Sequence, residues 1–375
     1  MAGVYLHVPF CKQACHYCDF HFSTDTSLLT DVCKSMSAEL VLQKEYLTEP
    51  VSTIYFGGGT PSLLTSSEIG HLIEKIQCLF KIAPDTEITL EANPDDLSKE
   101  KLKALRHSGI NRLSIGIQSF NNDLLKFLNR VHDSSAAMQC LEDVREAGFD
   151  NISIDLIYAI PGLSENIWQE TLLKALSFSP EHISSYALTI EERTVFGNWS
   201  KKGKLHPMEE ESAARQFEML METLGGASYE HYEISNFCKP GYYSRHNSSY
   251  WKGAHYLGIG PSAHSYNGST RQFNIRNNSA YLRAIQSGKI PSETEVLSEE
   301  NKINEYILTT LRTQWGCDMS FLKDHLQDDI MSRKGDYLTL LERQGLVSIE
   351  ENVVRLTRKG KLVADKIAED LMMSV

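Results

Sequence analysis

Six short runs rich in Val, Ile and Tyr punctuate the first half of the chain. They are VYLHV (4–8), STIYFGG (52–58), TEITLEAN (86–93), RLSIGIQS (112–119), ISIDLIYAI (152–160) and HISSYALT (182–189). Residues of this kind, bounded by Gly, Pro or Asn, fit β-strands. Between them, at 27–47, 66–80, 98–108, 134–147 and 165–178, apolar residues recur at helical spacing. LSKEKLKALRHSG is the clearest of these, with a Ser cap, leucines one turn apart and a Gly stop. A strand followed by a crossover helix returns beside its predecessor, and repetition builds an α/β fold on a parallel sheet. Six such units favour a barrel or incomplete barrel over a flat doubly wound sheet, without settling the choice.

The polar residues within this pattern share one location. A cysteine cluster follows the first strand, and GGGTP follows the second. Glu91 ends the third strand, Gln118 ends the fourth and Asp155 lies on the fifth. In parallel α/β architectures the carboxyl ends of the strands are where sites are built.

After about residue 195 the pattern changes. Residues 209–224 read as a helix, whereas 229–275 are rich in Tyr, His, Asn, Gly and Ser with little periodicity. From 298, EENKINEYILTTLRT, MSFLKDHL and RKGDYLTLLERQGLV read as helices, LVSIEENVVRLT as a hairpin and RKGKLVADKIAEDLM as a last helix. Helices followed by a short hairpin predict a winged-helix-like α+β unit. Such units often bind DNA, but Glu and Asp are mixed through this one and the net charge is -12. Backbone phosphates need a basic surface, so nucleic acid is not expected as a partner. A packing module or lid fits better. The expected divisions are 1–195, 196–295 and 296–375.

The N-terminus, MAGVYLHVPF, shows no basic region leading into an apolar one, so no signal peptide is expected. No apolar run approaches the ~18–20 residues that span a membrane. A cytoplasmic protein is the expectation. In that compartment the scattered Cys33, Cys78, Cys140, Cys238 and Cys317 read as small hydrophobes rather than a disulfide framework.

HVPFCKQACHYCDFHF (7–22) stands apart from that background, placing Cys11, Cys15 and Cys18 in one loop as Cys-x3-Cys-x2-Cys. Structural zinc takes four ligands, usually from two paired knuckles, and no second pair follows. Iron–sulfur cubanes are often held by four cysteines. Three would leave one iron open to an exchangeable ligand, as chemistry requires. Three unpaired thiols in a loop by chance is the remaining alternative.

This spacing after a first strand is the signature of the radical S-adenosylmethionine superfamily, which the chain resembles. The resemblance implies a partial (βα)6 TIM-like barrel holding a 4Fe-4S cluster on Cys11, Cys15 and Cys18. The open iron would chelate S-adenosylmethionine, and an electron donor would reduce the cluster. Glycines let backbone approach a ligand closely; in the resembled family those matching Gly57, Gly58 and Gly59, with Thr60, meet the amino group of S-adenosylmethionine.

YLHVPFCKQACHYCDF, YFGGGTPSLL, EANPDDL, LSIGIQSFNNDLLKFLNRVH and DLIYAIPG together resemble the oxygen-independent coproporphyrinogen III oxidase family over nearly the whole chain. Tyr5, Tyr17, Glu91, Gln118, Arg130, Asp155 and Ala187 match its nucleotide-binding positions. Without the resemblance, Glu91 and Asp155 could equally be an ion pair inside the barrel, because a buried acid needs a partner. Arg130 could be a solvated charge at a helix end.

The family has two branches. The porphyrinogen-oxidising branch adds a fourth cysteine two residues after the third, where this chain has Phe20, and a longer segment before its first strand. The other branch comprises haem chaperones that deliver haem to respiratory proteins. SRHNSSYW (244–251) resembles the haem-associated His-Asn-x-x-Tyr-Trp motif of that branch. His is a common axial ligand of haem iron, and Tyr250 and Trp251 could pack on a porphyrin face. The resemblance therefore implies haem at His246, Tyr250 and Trp251, haem-accepting respiratory proteins as partners, contact with a membrane surface through the acceptor, and a homodimer. Catalytic residues are not assigned. The alternative is the oxidase itself, decarboxylating the propionates of coproporphyrinogen III. His231, His255 and His264 lie close by and read as structural histidines.

Overall fold

The computed structural model describes residues 1–373. The six expected strands are β1 (Ala2–Val8), β2 (Val51–Gly58), β3 (Ile82–Ala92), β4 (Arg112–Gln118), β5 (Ile152–Tyr158) and β6 (His182–Ala187). They pair in that order, all parallel. The helices among them are α1 (Leu29–Leu42), α2 (Ser66–Leu79), α3 (Lys99–His107), α4 (Asn122–Phe127), α5 (Ser134–Glu146) and α6 (Glu165–Ser177). Only α4 was not expected. It is six residues long, too short to show a helical period.

Side chains alternate across the strands. Val4, Leu6, Ile54, Phe56, Leu90, Leu113, Ile115, Ile154, Leu156 and Ile183 belong to one apolar core with the helices. The intervening Tyr55, Glu91, Arg112, Ser114, Asp155 and Ser184 line a cavity on the opposite face. A barrel that merely packs itself is filled by branched apolar side chains. This interior is polar and leaves room for a ligand.

The parallel core is an open partial barrel whose sheet extends at both edges. β7 (Glu230–Glu233) and β8 (Asn236–Cys238) add antiparallel strands beyond β6. β9 (Tyr256–Ile259) joins β1 in parallel, followed by antiparallel β10 (His264–Tyr266), β11 (Thr270–Asn274) and β12 (Ser292–Val296). All six lie in or near the stretch without periodicity. Strands of three to five residues are too short for alternation to register. Helices α7 (Val195–Lys201), α8 (Glu210–Gly226), α9 (Arg245–Trp251) and α10 (Asn278–Gln286) complete this part.

The edge is locked by Glu39 of α1. Its buried carboxylate accepts hydrogen bonds from Gly260 N at 2.8 Å, Tyr281 Oη at 2.6 Å and Asn274 Nδ2 at 2.6 Å. One side chain thereby ties α1 to β9, β11 and α10. Burial raises the Glu39 pKa, and these hydrogen bonds offset part of that cost while orienting its neighbours.

The C-terminal unit comprises α11 (Glu299–Leu311), β13 (Cys317–Asp318), α12 (Met319–His325), α13 (Ile330–Arg343), β14 (Val347–Glu350), β15 (Val353–Leu356) and α14 (Ala364–Leu371). It has its own core around Ile307, Leu311, Leu322, Leu338, Val354 and Ile367. Backbone bonds Ile234 N to Arg312 O (3.0 Å) and Gln314 N to Tyr232 O (2.9 Å) attach it to the barrel. Arg271 of β11 pairs with both oxygens of Glu305 on α11, each at 2.8 Å. Among the described residues no helix is long and apolar enough to cross a membrane.

Candidate cluster and cofactor site

Cys11, Cys15 and Cys18 are free thiols, half-buried in the loop after β1. All three line the barrel-mouth cavity of about 680 Å³. The loop is held from several sides. Cys11 N donates to Ser23 O at 3.0 Å and His16 N to Leu128 O at 3.2 Å. Asn129 Nδ2 donates to Ala14 O at 2.7 Å, and Gln13 Nε2 to Asn129 O at 3.0 Å. Asn129 itself has φ of 60°, a left-handed conformation that Asn tolerates better than most residues. Lys12 pairs with Asp95 and Asp96.

The loop sequence brings the three thiols to one cavity. A cubane gives each thiolate its own iron. The thiols also have polar neighbours of the right sense: Thr60 Oγ1 donates to Cys11 Sγ at 3.3 Å and Arg130 Nη1 to Cys15 Sγ at 3.2 Å. Burial pushes the Cys11 thiol up to about 12 and Cys18 up to about 11. Iron binding must therefore supply the free energy that deprotonates them.

The glycine run serves the loop first. Gly59 N donates to Val8 O at 2.9 Å and Thr60 N to Phe10 O at 2.7 Å. A Cβ on Gly59 would lie 2.6 Å from Phe10 O, and one on Gly58 (φ 111°) 2.8 Å from the His7 ring. Gly58, Gly59 and Thr60 line the cavity. Gly57 lies behind them, its Cβ position against Tyr5, Tyr55 and Glu91.

Deeper in the barrel, Glu91 accepts from Tyr55 Oη at 2.7 Å and from Gly58 N at 3.3 Å. Asp155 accepts from Ser114 Oγ at 3.3 Å. Neither acid forms an ion pair among the described residues, so the internal salt-bridge alternative is not realised. Burial raises Glu91 to about 7 and Asp155 to about 6. An acid whose folded pKa is raised stabilises the fold fully below its unfolded pKa and loses that contribution as pH rises through the folded value. In cluster-free protein the two acids should thus contribute a slope of falling stability as pH rises, opposite in sign to that of the buried His7, His132, His231 and His246, whose pKa values burial lowers to about 3 or 4. Glu91→Gln should flatten that slope between about pH 4.5 and 7, read by thermal melts across pH.

Arg130 is not a solvated helix-end charge. It turns inward after α4, and Nη2 donates to Asn93 Oδ1 at 2.5 Å and Gly116 O at 2.9 Å. Gln118 closes β4 with φ of 65°, a strained backbone for Gln, and lines the cavity. Strain of this kind, about 1–3 kcal/mol, collects at functional positions. Tyr17 and Ala187 line the same cavity. Tyr5 does not: its hydroxyl bonds to His7 Nδ1 at 3.1 Å, and it faces a second cavity. Arg112, missed from the sequence, is 1% exposed and reaches the barrel interior. Its Nε has no hydrogen-bond partner among the described residues. The available signal was an Arg opening an otherwise apolar strand.

The haem-associated motif forms α9. Ser244 caps it, and the Glu87 carboxylate accepts from Arg245 N and His246 N at 3.2 and 3.1 Å. His246, the expected haem ligand of this motif, points into the barrel wall. Its ring is buried, stacked on Tyr55 with centroids 4.8 Å apart. Nδ1 bonds with Thr53 Oγ1 at 2.8 Å and Nε2 with Tyr250 Oη at 2.7 Å. Burial lowers its pKa to about 3, so the ring is neutral with one donor and one acceptor, both engaged. Tyr250 and Trp251 instead line the second cavity, about 1200 Å³, between β1, β9, β10 and the C-terminal unit. Asn247 lines the first. Helix α9 is thus a wall between the two.

His231 Nε2 donates to Ile234 O (3.0 Å) and the ring stacks on Phe237, and His255 pairs with Glu49 at 2.8 Å. Both have the partners a structural histidine needs. His264 has none among the described residues, in contrast to the expectation.

Comparison with known proteins agrees with this geometry. Residues 5–175 match the radical SAM superfamily and residues 297–363 the HemN C-terminal domain. The chain is 35% identical to heme chaperone HemW of Bacillus subtilis, covering 98% of each chain. It is also 35% identical to heme chaperone HemW of Lactococcus lactis, covering 99% of this chain and 97% of that one. The solved structure of coproporphyrinogen III oxidase (HemN) from Escherichia coli superposes with a TM-score of 0.85 at 22% identity, over 100% of this chain and 90% of that one. That likeness concerns the fold, whereas the full-length identities concern the lineage: the chain belongs to the HemW family within the radical S-adenosylmethionine superfamily.

Proposed function

We propose that this protein is a haem chaperone, which binds haem beside a 4Fe-4S cluster and S-adenosylmethionine and passes it to respiratory acceptor proteins. The observation that carries the reading is the position of Phe20. This residue stands where the oxidase branch has a fourth cysteine, and it is 69% exposed on the rim shared by both cavities. An aromatic face there suits a flat apolar cargo. Its neighbours in the second cavity, Tyr250 and Trp251, come from the haem-associated motif.

Cys11, Cys15 and Cys18 would hold three irons of the cluster and leave the fourth for S-adenosylmethionine. When bound, that pair supplies one-electron cleavage of a sulfonium. The protein's own part is positional. Gly58, Gly59 and Thr60 present backbone at the cavity rim, and Glu91 and Asp155 offer carboxylates to amino or ribose groups. The Arg130 guanidinium offsets thiolate charge, and the barrel excludes water.

Three measurements test this. Anaerobic wild-type protein should take up hemin with a distinct Soret band and pass it to an apo-haem acceptor. Trp251→Ala should weaken hemin binding about tenfold, the scale of one buried aromatic contact. Incubation with coproporphyrinogen III, S-adenosylmethionine and reductant should yield no protoporphyrinogen IX, and its formation would replace the chaperone reading with the oxidase.

A further inference from the structure

We infer that haem enters the second cavity with His264 as its iron ligand, Phe20 and Trp251 against the macrocycle, and a propionate on Arg276. This rests on the haem reading and goes beyond it by locating the cargo and naming its ligand away from the His-Asn-x-x-Tyr-Trp motif.

The cavity holds about 1200 Å³, more than the ~300–1,000 Å³ of a usual small-molecule pocket. Its walls carry Tyr250, Trp251, Trp315, Phe321 and Phe20. This is the lining a broad aromatic ligand requires.

Three histidines reach the cavity: His7, His21 and His264. His7 spends both nitrogens, Nδ1 on Tyr5 Oη and Nε2 on His21 O. His21 holds Asn278 Oδ1 through Nε2 at 2.8 Å. Only the exposed His264 leaves both ring nitrogens unengaged among the described residues. It opens β10, where alternation turns His264 and Tyr266 to the cavity and buries Ser265. That strand is rigidly placed. Ser265 Oγ accepts from Gly258 N at 2.9 Å, and any Cβ on Gly258 would come within 2.0 Å of His264 O.

The cations sort the same way. Arg271 is committed to Glu305, Lys302 lies 2.8 Å from Glu299, and Lys252 sits over the Trp315 ring at 4.3 Å. Arg276 has no carboxylate partner among the described residues. Its Nη2 donates to Asp19 O at 2.6 Å, beside Phe20. It is exposed and free to take a propionate in charge-assisted hydrogen bonds. A single neutral imidazole on an open rim suits a carrier, because it leaves the other face of the iron accessible to an acceptor's ligand.

Hemin titration of cluster-loaded protein tests this. His264→Ala should shift the Soret band and weaken affinity at least tenfold while iron–sulfur content is unchanged, and added imidazole should restore the wild-type spectrum. Arg276→Ala should weaken hemin several-fold but leave hemin dimethyl ester unaffected. A His264→Ala protein with wild-type spectrum and affinity overturns the assignment, as does transfer of the spectral effect to His21→Ala. Wild-type protein that takes up no hemin overturns the carrier reading itself, and this assignment with it.

Discussion

Cys15→Ala protein, reconstituted anaerobically with iron and sulfide, will fail to hold the cubane. Iron and acid-labile sulfide should fall from about four per chain to below about one, since two thiolates cannot retain a four-iron cluster that needs three. The loss should be complete because loop, thiol and counter-charge act as one unit. Arg130 Nη1 meets Cys15 Sγ at 3.2 Å, and the same guanidinium reaches Asn93 and Gly116 at the ends of neighbouring strands. The variant should also bind S-adenosylmethionine at least tenfold more weakly by equilibrium dialysis, because the open iron is lost with the cluster. Cys33→Ala is the control. That thiol is buried against the core outside the loop, and its removal should cost stability but no iron. Full cluster loading of Cys15→Ala would overturn the ligand assignment.

Gly59→Ala should be nearly as damaging without touching a ligand. Its Cβ would sit 2.6 Å from Phe10 O, 2.9 Å from Phe10 N and 2.9 Å from Val8 O, all backbone atoms that cannot swing aside. The glycine run at the end of β2 and the segment leading from β1 to Cys11 would have to separate. Overpacking of this kind costs ~1–3 kcal/mol. The melting temperature should drop by about 5 °C or more, and cluster occupancy should fall below about half. Gly253 provides the contrast: it has φ of 63° but open space around its Cβ position. Gly253→Ala should cost only about 1 kcal/mol of backbone strain and leave cluster loading intact. Equal cluster loading in the two variants would show that the glycine run is a turn and nothing more.

Both predictions use residues that local sequence pattern already singled out. Alternating Val, Ile and Tyr in β1 to β6, caps such as Ser98 on α3, and the cysteine spacing are properties of neighbours within one element. They were legible for that reason. So was the convergence of the motifs at the strand ends, since parallel order carries every βα loop to one side of the sheet. Six of the seven expected nucleotide-site positions, all but Tyr5, line one cavity with the cysteines.

The remainder depended on partners distant in the chain. Pattern could not reveal β7 to β12, because such short strands gain stability from the sheet edge they join rather than from their own periodicity. His246 reads as an available ligand until Thr53, 193 residues earlier, takes its Nδ1. Arg112 drew no notice in local pattern and is buried only by the folded barrel, and His264 reads as one structural histidine among several until its neighbours prove to be engaged elsewhere. By itself the sequence determined the family, the six parallel strands of the core and the three thiols. Tertiary structure alone decided which polar side chains are spent and which stay free. Burial and hydrogen-bond occupancy belong to pairs of groups that only folding brings together.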